Sequence, residues 1–264
     1  PFGRTGQRVS SIGLGGWHLG VSESDEAAVR LVHTALGAGI NFLDNAWDYN
    51  DGLSEDRIGR PIADRRDQVQ HQDHRGGGLR TDYLDLWQIH EVIFDDEPAK
   101  HFARGGVVEA LDKARRQGKV RYVGFTGHKD PSLHLAMLAH DFAWDACQLP
   151  LNCFDASFRS FEQQVLPELN RRGIAPIGMK SLGGDARAVK AKVVSAEEAL
   201  AYALSLPVAT VVSGMESVRV LKQNVAVARN TVAMTARERD ALRRRVADYA
   251  ADGRFELYKI SAAF

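Results

Sequence analysis

The stretch VVEALDKARRQGKVRYVGF (Val107–Phe125) carries a helix, its stop and a strand in one short run. Val107 to Gln117 is helical, and Gly118 ends it, as a residue free to turn left-handed does. Lys119 to Phe125 then reads as a buried strand. Outward from it the same rhythm recurs. On the N-terminal side come a strand at Ser11–Gly16, a helix at Glu23–Gly37, a strand at Gly39–Asp44, a helix at Ser54–Ile62 and a strand at Tyr83–His90. On the C-terminal side helices at Ser132–Ala139, Arg159–Arg172, Ala196–Leu206 and Ser217–Ala228 alternate with strands at Ala146–Leu149, Ile174–Gly178 and Ala209–Ser213. Thr235–Ala250 is a last amphipathic helix. Strands that alternate with helices in this way predict a parallel sheet of the α/β class. About seven or eight units of roughly 30 residues fit a (β/α)8 TIM barrel. A doubly wound sheet fits less well, because no G-x-G-x-x-G opens a helix after the first strand.

One unit breaks the pattern. Asp67–Tyr83 reads DQVQHQDHRGGGLRTDY, where a strand and then a helix are due. Val69–His74 holds one apolar residue, and Gly76-Gly77-Gly78 opposes helix. The third unit is therefore expected to be short, polar and irregular. Neither a linker nor a low-complexity tract divides the chain, so residues 1–264 read as a single domain.

The 264 residues carry 34 Lys+Arg against 34 Asp+Glu, a formal net charge of zero. That balance argues against a nucleic-acid partner, which calls for surplus positive charge. The longest apolar runs fall short of a membrane span. Cys147 and Cys153 are expected as free thiols in a reducing, cytoplasmic setting. No set of three or four ligands predicts a metal site. Arg243-Arg244-Arg245 reads as a solvated helix face, balanced by Glu238, Asp240 and Asp248.

In such barrels the reactive groups sit at the carboxyl ends of the strands. Asp44 ends one strand, Tyr49 follows five residues later, and His90 closes another. All three are expected at one mouth. Each also has a plainer reading: an Asp that caps a helix, a packing Tyr, a core His.

Five separated stretches together resemble the aldo-keto reductases: GRTGQRVSSIGLGGW (Gly3–Trp17), GINFLDNAWDYNDGLSE (Gly39–Glu55), TDYLDLWQIHE (Thr81–Glu91), GKVRYVGFTGH (Gly118–His128) and SGMESVRVLKQN (Ser213–Asn224). The resemblance implies a barrel that reduces aldehydes and ketones with NADP(H), NAD remaining open. It implies an Asp–Tyr–Lys–His tetrad, in which Asp44, Tyr49 and His90 match three members. Tyr49 matches the general acid. A phenol with a pKa near 10 needs a nearby ammonium to act at neutral pH, and one such charge is worth roughly 4 kcal/mol. No lysine occurs before Lys100, and His74 falls at the lysine position. The resemblance also assigns the cofactor-binding residues. Gly16, Trp17 and Asp44 are among them, with Thr126 and Gln148 on the nicotinamide carboxamide. Lys180, Ser181 and Leu182 lie near the pyrophosphate. Ser213, Gly214, Met215, Ser217, Gln223 and Asn224 hold the adenosine end. The partner is a small carbonyl or alcohol substrate. The missing lysine leaves open a nucleotide-binding barrel without turnover. A metal-assisted hydrolase using Asp44, Asp48, His90 and His74 is a third reading.

Overall fold

The computed structural model describes residues 1–63, 65–73, 83–230 and 232–261. Eight strands are hydrogen-bonded in the order of the sequence: β1 (Ile12–Gly15), β2 (Phe42–Asp44), β3 (Gln70–Asp73), β4 (Leu84–Ile89), β5 (Val120–Thr126), β6 (Ala146–Pro150), β7 (Ala175–Met179) and β8 (Thr210–Gly214). Every pairing is parallel, and β8 returns to β1 through Val211 opposite Ile12 and Gly214 opposite Gly15. The order is thus a closed barrel.

Helices alternate with the strands. Among the described residues, those before β4 are α1 (Trp17–Gly20), α2 (Asp25–Gly37) and α3 (Leu53–Ile62). Between β4 and β7 lie α4 (Glu97–Phe102), α5 (Val107–Arg116), α6 (Pro131–Ala139), α7 (Phe161–Gln164) and α8 (Leu166–Arg172). The last five are α9 (Arg187–Lys190), α10 (Ala196–Leu204), α11 (Val218–Asn230), α12 (Ala236–Ala250) and α13 (Leu257–Ile260). Local chemistry sets the boundaries. Ser24 caps α2 by accepting from the Ala27 N–H at 3.2 Å. Capping boxes at Ser195/Glu198 and Thr235/Glu238 start α10 and α12.

Two expectations need correction, and the short third unit gains a strand. Polar Gln70–Asp73 does form a strand, pairing with β2 at Phe42–Asp44 and with β4 at Leu86–Trp87. A ladder is made by backbone groups, so a flanked segment can join it without an apolar sequence. The single helix expected over Arg159–Arg172 is two, α7 and α8, because Pro167 has no N–H to carry a helix across that point. Arg243 is not merely solvated: its Nε donates to the Tyr202 hydroxyl at 2.6 Å, and it pairs with the buried Glu162.

Side-chain alternation along the strands sorts the barrel interior into layers. Phe42 of β2, Leu86 of β4, Ala146 of β6 and Val212 of β8 fill the layer near the strand starts, with Phe2 packed beneath them. Two residues further along the same strands stand Asp44, Gln88 and Gln148, all buried. The interior therefore changes from apolar to polar on the way to the carboxyl ends. Outside the barrel, the main core fills the space between strands and helices.

Candidate active site

Asp44 ends β2 and is 4% exposed. Burial pushes its carboxyl up to about 7, against the opposing pull of a hydrogen bond with Gln148 and the Lys180 ammonium. Gln148 is itself held by Gln88, whose Nε2 donates to Gln148 Oε1 at 2.8 Å. This polar layer crosses from β2 through β6 to β4.

Tyr49 opens a short 3-10 turn, Tyr49–Gly52, between β2 and α3. Its ring meets Trp17 edge-on at 5.4 Å and His90 edge-on at 5.8 Å. Trp17 is 52% exposed and Trp47 is 49% exposed, so both indoles stand on the surface rather than in the core. His90 follows β4 directly. Its Nδ1 lies 3.9 Å from Asp48 Oδ1, and its Nε2 lies 3.8 Å from Glu91 Oε1. Burial lowers the His90 pKa, while Glu91 and Asp48 pull it up and Lys180 lowers it. At neutral pH its ring is therefore mostly uncharged, with one N–H to offer an oxygen.

The structure thus brings Tyr49 and His90 into ring contact and sets Asp44 at the end of the neighbouring polar layer. His74 lies outside the described residues. Sequence reasoning missed Glu91, His128 and Tyr258. Glu91 Oε1 lies 3.7 Å from His128 Nε2, and the His128 ring stands 5.7 Å from Tyr258. Burial, aided by Lys180, pushes His128 down to about 2. GFTGH (Gly124–His128) was on view as the end of a strand; Tyr258 lies far along the chain, so only the fold could show it.

The residues assigned to a cofactor separate into groups. Thr126 and Gln148 are buried at the ends of β5 and β6. A Cβ on Gly16 would come within 2.4 Å of Asn45 Oδ1, so this glycine lets β1 and β2 meet, and its N–H donates to Asp44 O at 2.7 Å. Ser181 is buried and Leu182 is partly buried against the core. Gly183 and Gly184 follow with φ of +76° and +91°, a backbone that side chains resist. Ser213 accepts from Asn224 Nδ2 at 3.1 Å. Ser217 accepts from the Val220 N–H at 3.3 Å near the start of α11. A Cβ on Gly214 would strike the His18 ring at 2.1 Å. The Met215 side chain is wholly buried in the core. Gln223 lies on the wall of an open cleft of about 710 Å³ that also takes in Lys192, Glu197 and Arg245. Its Nε2 donates to Glu197 Oε1 at 2.6 Å.

Among the described residues no cluster of three His, Cys, Asp or Glu side chains is arranged to hold a metal ion. No described helix is long and apolar enough to cross a membrane.

The profile of the Aldo/keto reductase family matches residues 11–72 and 78–193. The chain belongs to the aldo/keto reductase family. A 6-dehydroglucose reductase of Novosphingobium aromaticivorans is 30% identical over 216 residues, 69% of this chain and 68% of that protein. An uncharacterized oxidoreductase of Bacillus subtilis is 26% identical over 220 residues, 69% of this chain. The chain spans 66% of the length of that protein and 45% of a second Bacillus subtilis oxidoreductase, less than two thirds of each. An aldo-keto reductase of Bacillus halodurans shares the fold with a TM-score of 0.76 at 21% identity, over 92% of this chain and 94% of that one. An aldo/keto reductase of Klebsiella pneumoniae, solved in complex with NADP and acetate, gives a TM-score of 0.71 at 22% identity, over 89% and 91% of the two chains.

Proposed function

We propose that the chain reduces the carbonyl of an aldehyde or ketone with NAD(P)H, or runs the reverse alcohol oxidation, with Tyr49 as proton donor. The observation that carries this reading is the Tyr49 ring, held between Trp17 and His90 beside the strand end that presents Asp44. The cofactor, when bound, supplies the hydride to the carbonyl carbon. Every other requirement falls on side chains. Tyr49 gives its hydroxyl proton to the carbonyl oxygen as negative charge grows there. His90, uncharged at neutral pH, donates a hydrogen bond that orients that oxygen. Trp17 shields one side of the reacting carbon from water.

The residues present fit a pyridine dinucleotide. Thr126 and Gln148 offer buried polar groups for a carboxamide. The left-handed Gly183 and Gly184 open the backbone after β7, where N–H groups can meet phosphate. The cleft beside Gln223 carries Lys192 and Arg245 for the adenosine end. NADP is the expected cofactor, as in the Klebsiella pneumoniae protein, and NAD is the alternative. On the same reading, residues 1–264 form one (β/α)8 domain with a shortened, irregular third unit, and the protein works in the cytoplasm.

The test is NADPH oxidation against a panel of aldehydes, comparing wild type with Tyr49→Phe. A loss of about 10³-fold or more in kcat with NADPH affinity kept supports the assignment. Carbonyl reduction left intact in Tyr49→Phe sinks it. Because no lysine precedes Lys100, a second reading is a barrel that binds the nucleotide without turnover. Tight NADPH binding with no carbonyl-dependent oxidation across the panel would select it.

A further inference from the structure

The phenol of Tyr49 needs a cation nearby to give up its proton at neutral pH, and the sequence has no lysine before Lys100. We propose that Lys180, delivered by β7 from the side of the barrel opposite β3, is the ammonium of this mouth: it stands over Tyr258 in the cluster that runs to Tyr49 and favours the Tyr49 phenolate. The proposal rests on Tyr49 as proton donor. It gives Lys180 a different task from the pyrophosphate contact expected from the sequence.

The geometry starts with the backbone. Lys180 follows the last residue of β7 with φ of +54°, a left-handed conformation that a lysine adopts only when its surroundings impose it. Its carbonyl accepts from the Gly183 N–H at 2.9 Å and from Asn152 Nδ2 at 3.4 Å. The turn throws the side chain over Tyr258, with Nζ 5.2 Å from the ring centroid. Tyr258 is fixed in turn: its hydroxyl donates to Glu256 Oε1 at 2.7 Å and accepts from Asn152 Nδ2 at 3.0 Å. Beyond Tyr258 the contacts run on through His128, Glu91 and His90 to the Tyr49 ring. Lys180 thus belongs to the same continuous cluster as the proton donor.

The charges agree with this placement. Burial lowers the Lys180 pKa from its ordinary value, and Glu91 and Asp44 pull it part of the way back up. Lys180 in turn lowers the pKa of Asp44, His90 and His128. Among the described residues, charged groups at this cluster include Asp48, which faces His90, Glu256, which accepts from the Tyr258 hydroxyl, and Lys129, which acts on His128 and donates to the Ser261 carbonyl at 2.6 Å. Lys180 acts through Asp44 and Tyr49 and not on the substrate, so it is a positioning residue. A barrel can move such a charge between strands because all strand ends converge on one mouth.

The experiment follows benzyl alcohol oxidation and benzaldehyde reduction against pH in wild type, Lys180→Met, Lys180→Arg and Tyr49→Phe. NADPH affinity is read in parallel by fluorescence. Alcohol oxidation needs the phenolate, so its rate rises with pH through the apparent pKa of Tyr49. Lys180→Met should move that rising limb up by about one pH unit or more. It should also cut kcat for alcohol oxidation near pH 7 by about tenfold for each unit moved. Lys180→Arg, which keeps the charge, should restore most of both, and NADPH affinity should hold within about threefold in each variant. An unmoved limb with unchanged kcat in Lys180→Met overturns the proposal. So does an unmoved limb with NADPH affinity weakened about tenfold or more, which returns Lys180 to the cofactor phosphates. Borohydride trapping of benzaldehyde on Lys180 also overturns it, since the amine would then be a nucleophile. If Lys180→Met does not fold, Lys180→Arg decides: loss of the wild-type profile at unchanged NADPH affinity and unchanged fold counts against a role carried by charge. Activity retained in Tyr49→Phe condemns the proton-donor reading instead. An inactive Tyr49→Phe beside a fully normal Lys180→Met condemns this inference alone.

Discussion

The two ends of the barrel are built on opposite terms. At the end where the strands begin, Phe2 packs 5.9 Å from Phe42 and 6.4 Å from Tyr122. Nearby, Asp85 is almost fully buried but pairs with Arg66 at 2.7 Å and Arg121 at 3.0 Å. Tyr83 lies between those two guanidiniums, 4.5 and 4.6 Å from its ring centroid. Ser10 and Asn41 exchange hydrogen bonds of 2.7 and 3.1 Å. At the end where the strands finish, charge and strain collect. Six of the seven described non-glycine residues with positive φ lie in connections that follow strand ends, Asn50, Asp51, Glu91, Arg159, Lys180 and Ala186, and the seventh, Lys192, lies between α9 and α10. His128 Nε2 is buried with no hydrogen-bond partner among the described residues. Strain of this kind collects at the end where barrels of this class carry their reactive groups.

The sharpest way to break this contrast is a crossed pair of substitutions. Tyr49→Phe should raise the barrier for carbonyl reduction by about 4 kcal/mol or more, about 10³-fold in kcat. It should leave the Tm within about 2 °C of wild type, because only a hydroxyl is lost from an edge-packed ring. Phe2→Ala should do the reverse. Its side chain is 3% exposed, and its loss should cost about 3 kcal/mol of unfolding free energy in urea. The kcat of the folded fraction should not change. A Phe2→Ala enzyme that is stable but inactive would show that floor and mouth are not separable.

What the sequence disclosed follows the same division. The helices were legible because their ends are local events: Ser24 and Thr235 are caps whose partners lie three residues on. Asp44, Tyr49 and His90 were legible because each ends a strand or follows one closely. β3 was not, since its place is set by backbone pairing with β2 and β4 rather than by its own side chains. The Glu91–His128–Tyr258 cluster was hidden for another reason. Its members come from three distant stretches and meet only when the barrel closes. The sequence led to an expectation of Lys180 near the pyrophosphate, while the direction of its side chain depends on a left-handed φ that the sequence does not announce.

A smaller effect tests the mouth side of the contrast through pH. His134 is completely buried beneath β6, with Nε2 3.3 Å from the Gln148 carbonyl. Burial lowers its pKa to about 4 from 6.5. The folded protein therefore binds this proton more weakly than the unfolded chain does. Its contribution to stability is full above pH 6.5 and falls as the pH drops toward 4, by about 1.4 kcal/mol per unit. Asp44 acts in the opposite sense, since its pKa is raised to about 7 and stability returns as the pH falls below that value. Wild type and His134→Gln share the Asp44 effect, so it cancels between them. Between pH 6 and pH 5, urea unfolding should then show wild type losing about that amount of stability relative to His134→Gln. Equal slopes would mean that the His134 ring is protonated without penalty and that its pocket is not dry.

The smallest expected effect decides whether a residue at the mouth belongs to the fold or to the ligand. Ser217 accepts from the Val220 N–H at 3.3 Å, so Ser217→Ala removes a helix cap. Such a loss costs about 1 kcal/mol. If capping is its whole task, the loss is the same with and without NADPH. If its hydroxyl also holds the nucleotide, the variant binds NADPH more weakly, and the gap between the two proteins widens as the cofactor is raised. A tenfold weaker Kd adds about 1.4 kcal/mol at saturation, enough to more than double the difference. Thermal melts across an NADPH series separate the two cases. A constant gap would place Ser217 with the Ser195 and Thr235 caps, and a growing one with the cleft beside Gln223.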